Sequence, residues 1–320
     1  MEPKISPSTL SESKSHLTFH HVKEAVSIAH LLTESNIKAY VQPVVLFAIL
    51  GVASGGVTTV AYATPVQLAG ALCHAWIYIW LYVLHFDCSN QKDPESIQED
   101  SMNKPWRAIP SGRLTVQACE RWYYAATALL VLSSAYYFGG LPEATAFMAE
   151  TWVYDRVNGA SSWWGKNIIN ALFYATGQLG GTRVAARFIV SSATMSSSGY
   201  WWCLLLALNT LSTVQIQDLR DQEGDKARGR STMPIAMGDP LTRWITAIFI
   251  AAWSIVCPGY WARGHLTAAF ALPVLVGSLV AARVLVLRTA KADRLSFHVY
   301  TLLWLPSLYL VPLLSQFRIW

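Results

Sequence analysis

Long apolar runs separated by short polar stretches dominate the chain from residue 39 onward. Runs near 39–56, 66–86, 116–138, 142–155, 167–189, 199–217, 241–259, 265–286 and 295–317 approach the roughly 20 residues that a helix needs to cross a bilayer. They predict nine spanning helices. The fourth run is short and carries Glu143 and Glu150, and without it the count is eight. Upstream, residues 20–36 read as an amphipathic helix with Val22, Val26, Ala29 and Leu32 on one side, a pattern suited to lying along the membrane interface. The expected organisation is therefore a cytosolic N-terminal segment, 1–36, followed by one all-α integral membrane domain, 37–320. Met1 to Thr18 is polar and lacks a basic region leading into an apolar core, so no cleavable signal peptide is expected.

Composition supports this class. Hydrophobic residues make up 53% and charged residues 13% of the 320 positions, against about a quarter charged in soluble domains. Mean hydropathy is +0.32. The 14 Trp and 14 Tyr include several at the ends of apolar runs, where interfacial belts form. A net charge of +5 without a basic tract excludes nucleic acid as a partner. The five cysteines are scattered and mostly apolar in context, which fits neither a disulfide framework nor metal pairs.

Charge also orients the chain. With the N-terminus in the cytosol, the loops on that side hold Lys92, Lys104, Arg107, Arg113, Arg156, Lys166, Arg220, Lys226, Arg228, Arg230, Arg288, Lys291 and Arg294. The far side keeps only Arg183, Arg187, Arg263 and Arg318. Cytosolic loops carry the excess of cations, so this bias favours nine spans over eight.

Acid is concentrated on the same face. Loops 87–115 and 218–240 hold ten of the nineteen acidic residues. In the second, Asp218, Asp221 and Asp225 fall at i, i+3 and i+7, which a continuing helix stacks on one side. Stacked carboxylates repel one another, and a divalent cation relieves that repulsion. Magnesium typically joins one or two carboxylates to substrate phosphates, and the cations beginning at Lys226 suit an anion held beside such a metal. A solvated acidic–basic loop is the plainer alternative. The first segment repeats the layout: Asp87, Asn90, Gln91, Glu99 and Asp100, then Lys104 and Arg107. Lys166 and Asn170 open the fifth run on the same side, where Lys166 could meet a diphosphate or simply snorkel to the headgroups.

These strings resemble the UbiA superfamily of intramembrane prenyltransferases. The most specific are Asp218-Leu-Arg-Asp221-Gln-Glu-Gly-Asp225 with Thr232-Met-Pro234, and Asn103-Lys-Pro-Trp-Arg107 with Ile109-Pro-Ser-Gly112. The resemblance implies a nine-helix bundle with a cytosolic cap over a central cavity. Mg2+ would be held there by Asn90, Glu99, Asp100, Asp218, Asp221 and Asp225. A farnesyl or geranylgeranyl diphosphate would be held by Gln91, Lys104, Arg107, Lys166, Asn170 and Lys226, its tail among the helices and lipid. Asp218, Asp221, Asn90 and Asp100 would be the residues on which catalysis depends.

The first motif departs from the common Asn-Asp-x-x-Asp-x-x-x-Asp: Gln91 replaces the first Asp and Ser96 the middle one, and Asp93 is out of phase. The Asn90-Gln91…Glu99-Asp100 form is similar to fungal members that include terpene cyclases. It favours cyclisation of a C15–C20 diphosphate over transfer to an aromatic or indole acceptor. A lipid-binding or transport protein is the third reading. Trp76, Trp80, Tyr174, Trp201, Trp202 and Trp304 are candidates for stabilising a carbocation, and packing or interfacial anchoring is the alternative for each. The expected setting is the endoplasmic reticulum membrane, with the acidic loops cytosolic.

Overall fold

The computed structural model describes residues 7–262 and 268–315, with side chains from residue 22 onward. These residues are helical apart from turns, loops and two isolated bridges, Thr58–Met195 and Ser162–Ser231. α1 (Pro7–Asn36) runs through a single π turn at Ile37–Val41 into α2 (Gln42–Ala53). α3 (Pro65–Gln91) begins at a capping box between Thr64 and Gln67, with Pro65 supplying a preset φ in the first turn. α4 (Pro94–Asn103) is short; α5 (Val116–Ser133) continues through a π turn to Phe138; α6 spans Leu141–Arg156. Ser162 caps α7 (Trp163–Ile189), and Ser196 caps α8 (Ser197–Thr213). α9 (Gln222–Ala227) and α10 (Met233–Met237) are short, and α11 is Asp239–Ala262. The chain closes with α12 (Ala271–Val286), α13 (Ala290–Val299), α14 (Leu305–Tyr309) and α15 (Val311–Leu314).

Every predicted apolar run coincides with a helix, although residues 265–267 and 316–317 lie outside the described residues. Among those described, five stretches are long and apolar enough to cross a membrane: Val22–Ala53, Pro65–Gln91, Asp239–Ala262, Ala268–Val286 and Ala290–Leu314. α5 to α8 are shorter or more polar. Large apolar side chains such as Val66, Leu275 and Val286 stand on the outside, a surface that belongs in lipid rather than water.

At its C-terminal end α1 continues through the π turn into the first apolar run. Its buried stripe is Ile28, Ala29, Leu32 and Thr33, while Val22 and Val26 are exposed. Docking on α3, not the helix's own polarity pattern, sets which side turns inward.

α7 is the axis of the bundle and packs against α2, α3, α6 and α8. α8 continues to α11, α11 to α12, α12 to α14, and α14 returns to α2, which closes the ring. Arg243 of α11 bolts the second half together. It is buried, donates to both carboxylate oxygens of Asp239 and of Asp293, and reaches the Val284 carbonyl at 2.9 Å. Asp239 thus belongs to a structural clasp rather than to the acidic site. Arg243→Met strands two carboxylates, and breaking a buried pair costs about 3–5 kcal/mol. The melting temperature in detergent should fall steeply, and an unchanged melt would show that the clasp contributes nothing.

Candidate active site

Four pieces of chain meet at one end of the bundle. The last turns of α3 carry Asp87, Asn90 and Gln91, and α4 carries Glu99 and Asp100. The first turns of α7 carry Lys166 and Asn170. The stretch from Val214 to Arg230 supplies the remainder. The expected single helix through Asp218, Asp221 and Asp225 is broken: a 3-10 turn at Val214–Gln217 and a bend precede α9. The bend lets the backbone pass under α4. A side chain on Gly224 would put its Cβ 2.1 Å from Asn103 Nδ2, so any larger residue would displace the Asn103 side chain at this contact between the two acidic segments. Gly224→Val should pry α4 and α9 apart and lower turnover by about 10²-fold, the scale of an ångström-sized misplacement. Activity within twofold of the parent would refute the need for that contact.

The segments line an open polar cavity of about 710 Å³. Lys104, Arg107, Lys166, Arg220 and Arg230 line it, together with Glu99, Asp221 and Asp225. Each carboxylate is matched to a cation. Lys166 Nζ is 2.6 Å from Asp218 Oδ1 and 3.7 Å from Asp225 Oδ2. Glu99 Oε2 accepts from Arg228 at 2.9 Å and Arg230 at 3.1 Å, and Asp100 Oδ2 accepts from Arg107 at 2.7 Å. Burial alone would raise the Glu99 pKa, but Arg230, Lys104 and Lys166 outweigh it and hold the carboxyl at about 2. Asp221 is lowered as well, since Arg220 and Lys104 overcome its burial. Asp218 goes the other way: burial lifts it to about 6 against the pull of Lys166, with Asp225 adding to the rise.

Most of the residues singled out from the sequence meet here. Asn90, Glu99, Lys104, Arg107, Lys166, Asn170, Asp221 and Asp225 line the cavity. Gln91, Asp100 and Asp218 are buried behind its wall, where Gln91 donates to Asp87 and to the Leu32 carbonyl. Lys226 stands apart, exposed on the outer side of α9, and Arg230 faces the cavity in its place. Asp93 pairs with Arg228 at 3.4 Å, outside the lining. Two further residues hold the site without any mark in the sequence: Asn36 donates to Asp87 at 2.9 Å, and Asp155 accepts from Asn90 at 2.9 Å. Both end helices, and nothing local in the sequence shows what lies opposite a helix end.

No three His, Cys, Asp or Glu side chains among the described residues form a ready-made metal cage. Magnesium asks for less, since waters and phosphate oxygens complete its shell. Oδ2 of Asp218 and Oδ2 of Asp225 are buried without a hydrogen-bond donor, next to the cavity that Glu99 and Asp221 line. Such a donor set fits a hard cation that arrives with an anionic substrate.

The polar cavity does not end blindly. Asn36, Ala39, Phe86, Asn170, Gln217 and Phe297 also wall a second, apolar chamber of about 550 Å³ that continues inward. Its deeper walls are Tyr40, Val83, Phe147, Phe173, Tyr174 and Tyr300. Of the aromatic candidates named from the sequence, only Tyr174 lines it. Trp202 and Trp304 are packed in the core, Trp76 and Trp201 are exposed, and Trp80 packs at the core's edge, donating to Thr33.

The membrane-type helical bundle thus carries a charged mouth that opens into an apolar chamber. The chain belongs to the UbiA prenyltransferase family, whose model matches residues 41–305. It is 32% identical over 191 residues to the diterpene cyclase eriG of Hericium erinaceus, covering 58% of this chain and 60% of that protein. It is 33% identical over 186 residues to the polyprenyl transferase eriF of the same fungus, covering 58% and 62%. The chain thus spans about three-fifths of the length of these two relatives. To the somaliensene A/B synthase of Streptomyces somaliensis it is 29% identical over 260 residues, 77% of this chain and 82% of that protein. In fold it is similar to a UbiA homolog from Archaeoglobus fulgidus solved with GPP and Mg2+. The TM-score is 0.57 at 15% identity, covering 86% of this chain and 98% of that one.

Proposed function

We propose that the chain is a magnesium-dependent terpene cyclase acting on a C15–C20 allylic diphosphate. The observation that carries this reading is the shared wall between the cation-rich cavity and the aromatic chamber. Lys104, Lys166, Arg220 and Arg230 would receive the diphosphate, and Glu99, Asp218, Asp221 and Asp225, with Asn90, would hold magnesium. When bound, magnesium supplies charge that stabilises the departing diphosphate. The carbon–oxygen bond breaks with its electron pair on the leaving group, and an internal double bond of the same tail attacks the resulting cation. Loss of a proton then gives the cyclic hydrocarbon.

The chamber's part is to exclude water, which would trap the cation as an alcohol. Phe86, Phe173, Tyr174 and Phe297 line the chamber, and an aromatic face can stabilise a desolvated cation by roughly 2 kcal/mol. The full reading has nine spans, the N-terminus and acidic loops in the cytosol as a cap over the cavity, and an endoplasmic reticulum membrane.

Transfer of the isoprenyl group to an aromatic acceptor is the second reading, favoured by the likeness to a polyprenyl transferase. Purified protein given farnesyl or geranylgeranyl diphosphate with magnesium should release a hydrocarbon without any acceptor, and a chelator should abolish it. Product that forms only when an acceptor is added would reject cyclisation in favour of transfer.

A further inference from the structure

Two tyrosines brace each other across the inner end of the apolar chamber. Tyr40 sits in the π turn between α1 and α2, and its hydroxyl donates to the Phe173 carbonyl of α7 at 2.5 Å. Tyr174, the next residue of α7, donates back to the Ala39 carbonyl. The rings meet edge to face with centroids 5.3 Å apart. Each tyrosine therefore fastens the other's helix.

The sequence prepares both bonds. The helical partner of the Ala39 carbonyl would be the amide of residue 43, but residue 43 is proline and has no N–H. That carbonyl is left open where the ladder widens into a π turn, and Tyr174 fills the vacancy. On the other side, Tyr40 reaches the α7 backbone only because residue 177 is glycine: a Cβ there would lie 2.1 Å from the Tyr40 hydroxyl. Beyond the pair the same face of α7 is packed: a Cβ on Gly181 would lie 3.4 Å from Ile79 and 3.6 Å from Ala48.

We infer that the Tyr40–Tyr174 pair is the floor of the isoprenoid chamber and sets the length of tail that the site accepts. This rests on the function proposed above, with the diphosphate anchored at the charged mouth. A tail held at its head can extend only as far as these rings, and truncating either ring lengthens the space it can fill.

The test is to measure kcat/KM for the C15 and C20 diphosphates with the parent protein and with Tyr174→Ala, Tyr40→Leu and Tyr174→Phe. A second readout is the thermal stabilisation that non-ionisable thiolodiphosphates of the two lengths give in the presence of magnesium. Tyr40→Leu guards against a folding defect in Tyr174→Ala, because the Phe173 carbonyl keeps its place in the α7 ladder when Tyr40 is lost. The C20-to-C15 ratio should rise at least about tenfold in the two truncations, the scale at which a reshaped apolar pocket discriminates. It should stay within about twofold of the parent in Tyr174→Phe, which keeps the ring. An active parent whose ratio neither truncation moves would overturn the floor alone. A parent inert to both diphosphates would overturn the proposed function and the floor with it.

Discussion

Asp221→Ala should leave a folded protein that turns over isoprenoid diphosphate about 10²–10³-fold more slowly, the range seen when one preorganised charge is removed from a reacting centre. The fold should survive because the Asp221 carboxylate lines the open cavity and, among the described residues, pairs at ion-pair distance with Arg220 alone, at 3.2 Å. Arg220 also rests over the Phe297 ring, so it keeps a neighbour when the carboxylate goes. The loss should appear in kcat, since Asp221 would act on charge that develops as the diphosphate leaves. Measurement of kcat beside a thermal melt checks both halves. Full activity in a folded Asp221→Ala variant would remove the carboxylates from the chemistry and revive a binding or transport role.

Lys166→Met should fail differently. Its ammonium is the cation shared by Asp218 and Asp225, both buried, and among the described residues no other basic side chain lies within ion-pair distance of Asp218. Removing one partner of a buried pair costs about 3–5 kcal/mol. Asp218 is already raised to about 6 with Lys166 in place, so without it the carboxyl should take up a proton more readily still. The sign follows from linkage. A carboxyl whose folded pKa lies above its unfolded value loses stability as pH rises through the folded pKa, so the variant's deficit should widen between pH 6 and 8. Melts of parent and variant across that range provide the test. A deficit that is small and flat with pH would mean that Lys166 points to the headgroups instead.

Hydropathy located the helices because a membrane imposes one length and one polarity on every span. The end of α1 escaped it: residues 20–36 alternate as an interfacial helix would, and only the surface of α3 decides that Leu32 turns inward while Val26 does not. The acidic motifs were legible because charge is rare in this chain, so Asp218, Asp221 and Asp225 stand out. Their geometry was less so. A regular helix through all three was the simple expectation, but Gly224 is there to pass beneath Asn103, and that requires a bend. The same bend turns Lys226 outward and brings Arg230 in, a choice no spacing rule could make. The chamber's aromatics were the least visible. Phe173 and Tyr300 look like any other apolar positions until the ring of helices shows which faces meet.

The continuity of head site and tail chamber is the claim on which the rest depends. A structure of the full chain in detergent or nanodisc with magnesium and farnesyl thiolodiphosphate tests it directly. Diphosphate density between Lys166, Arg230 and Asp221, with the tail running past Phe173 toward Tyr40, is the expected result. A tail lying along the outer, lipid-facing side of the bundle, with the chamber empty, would contradict it.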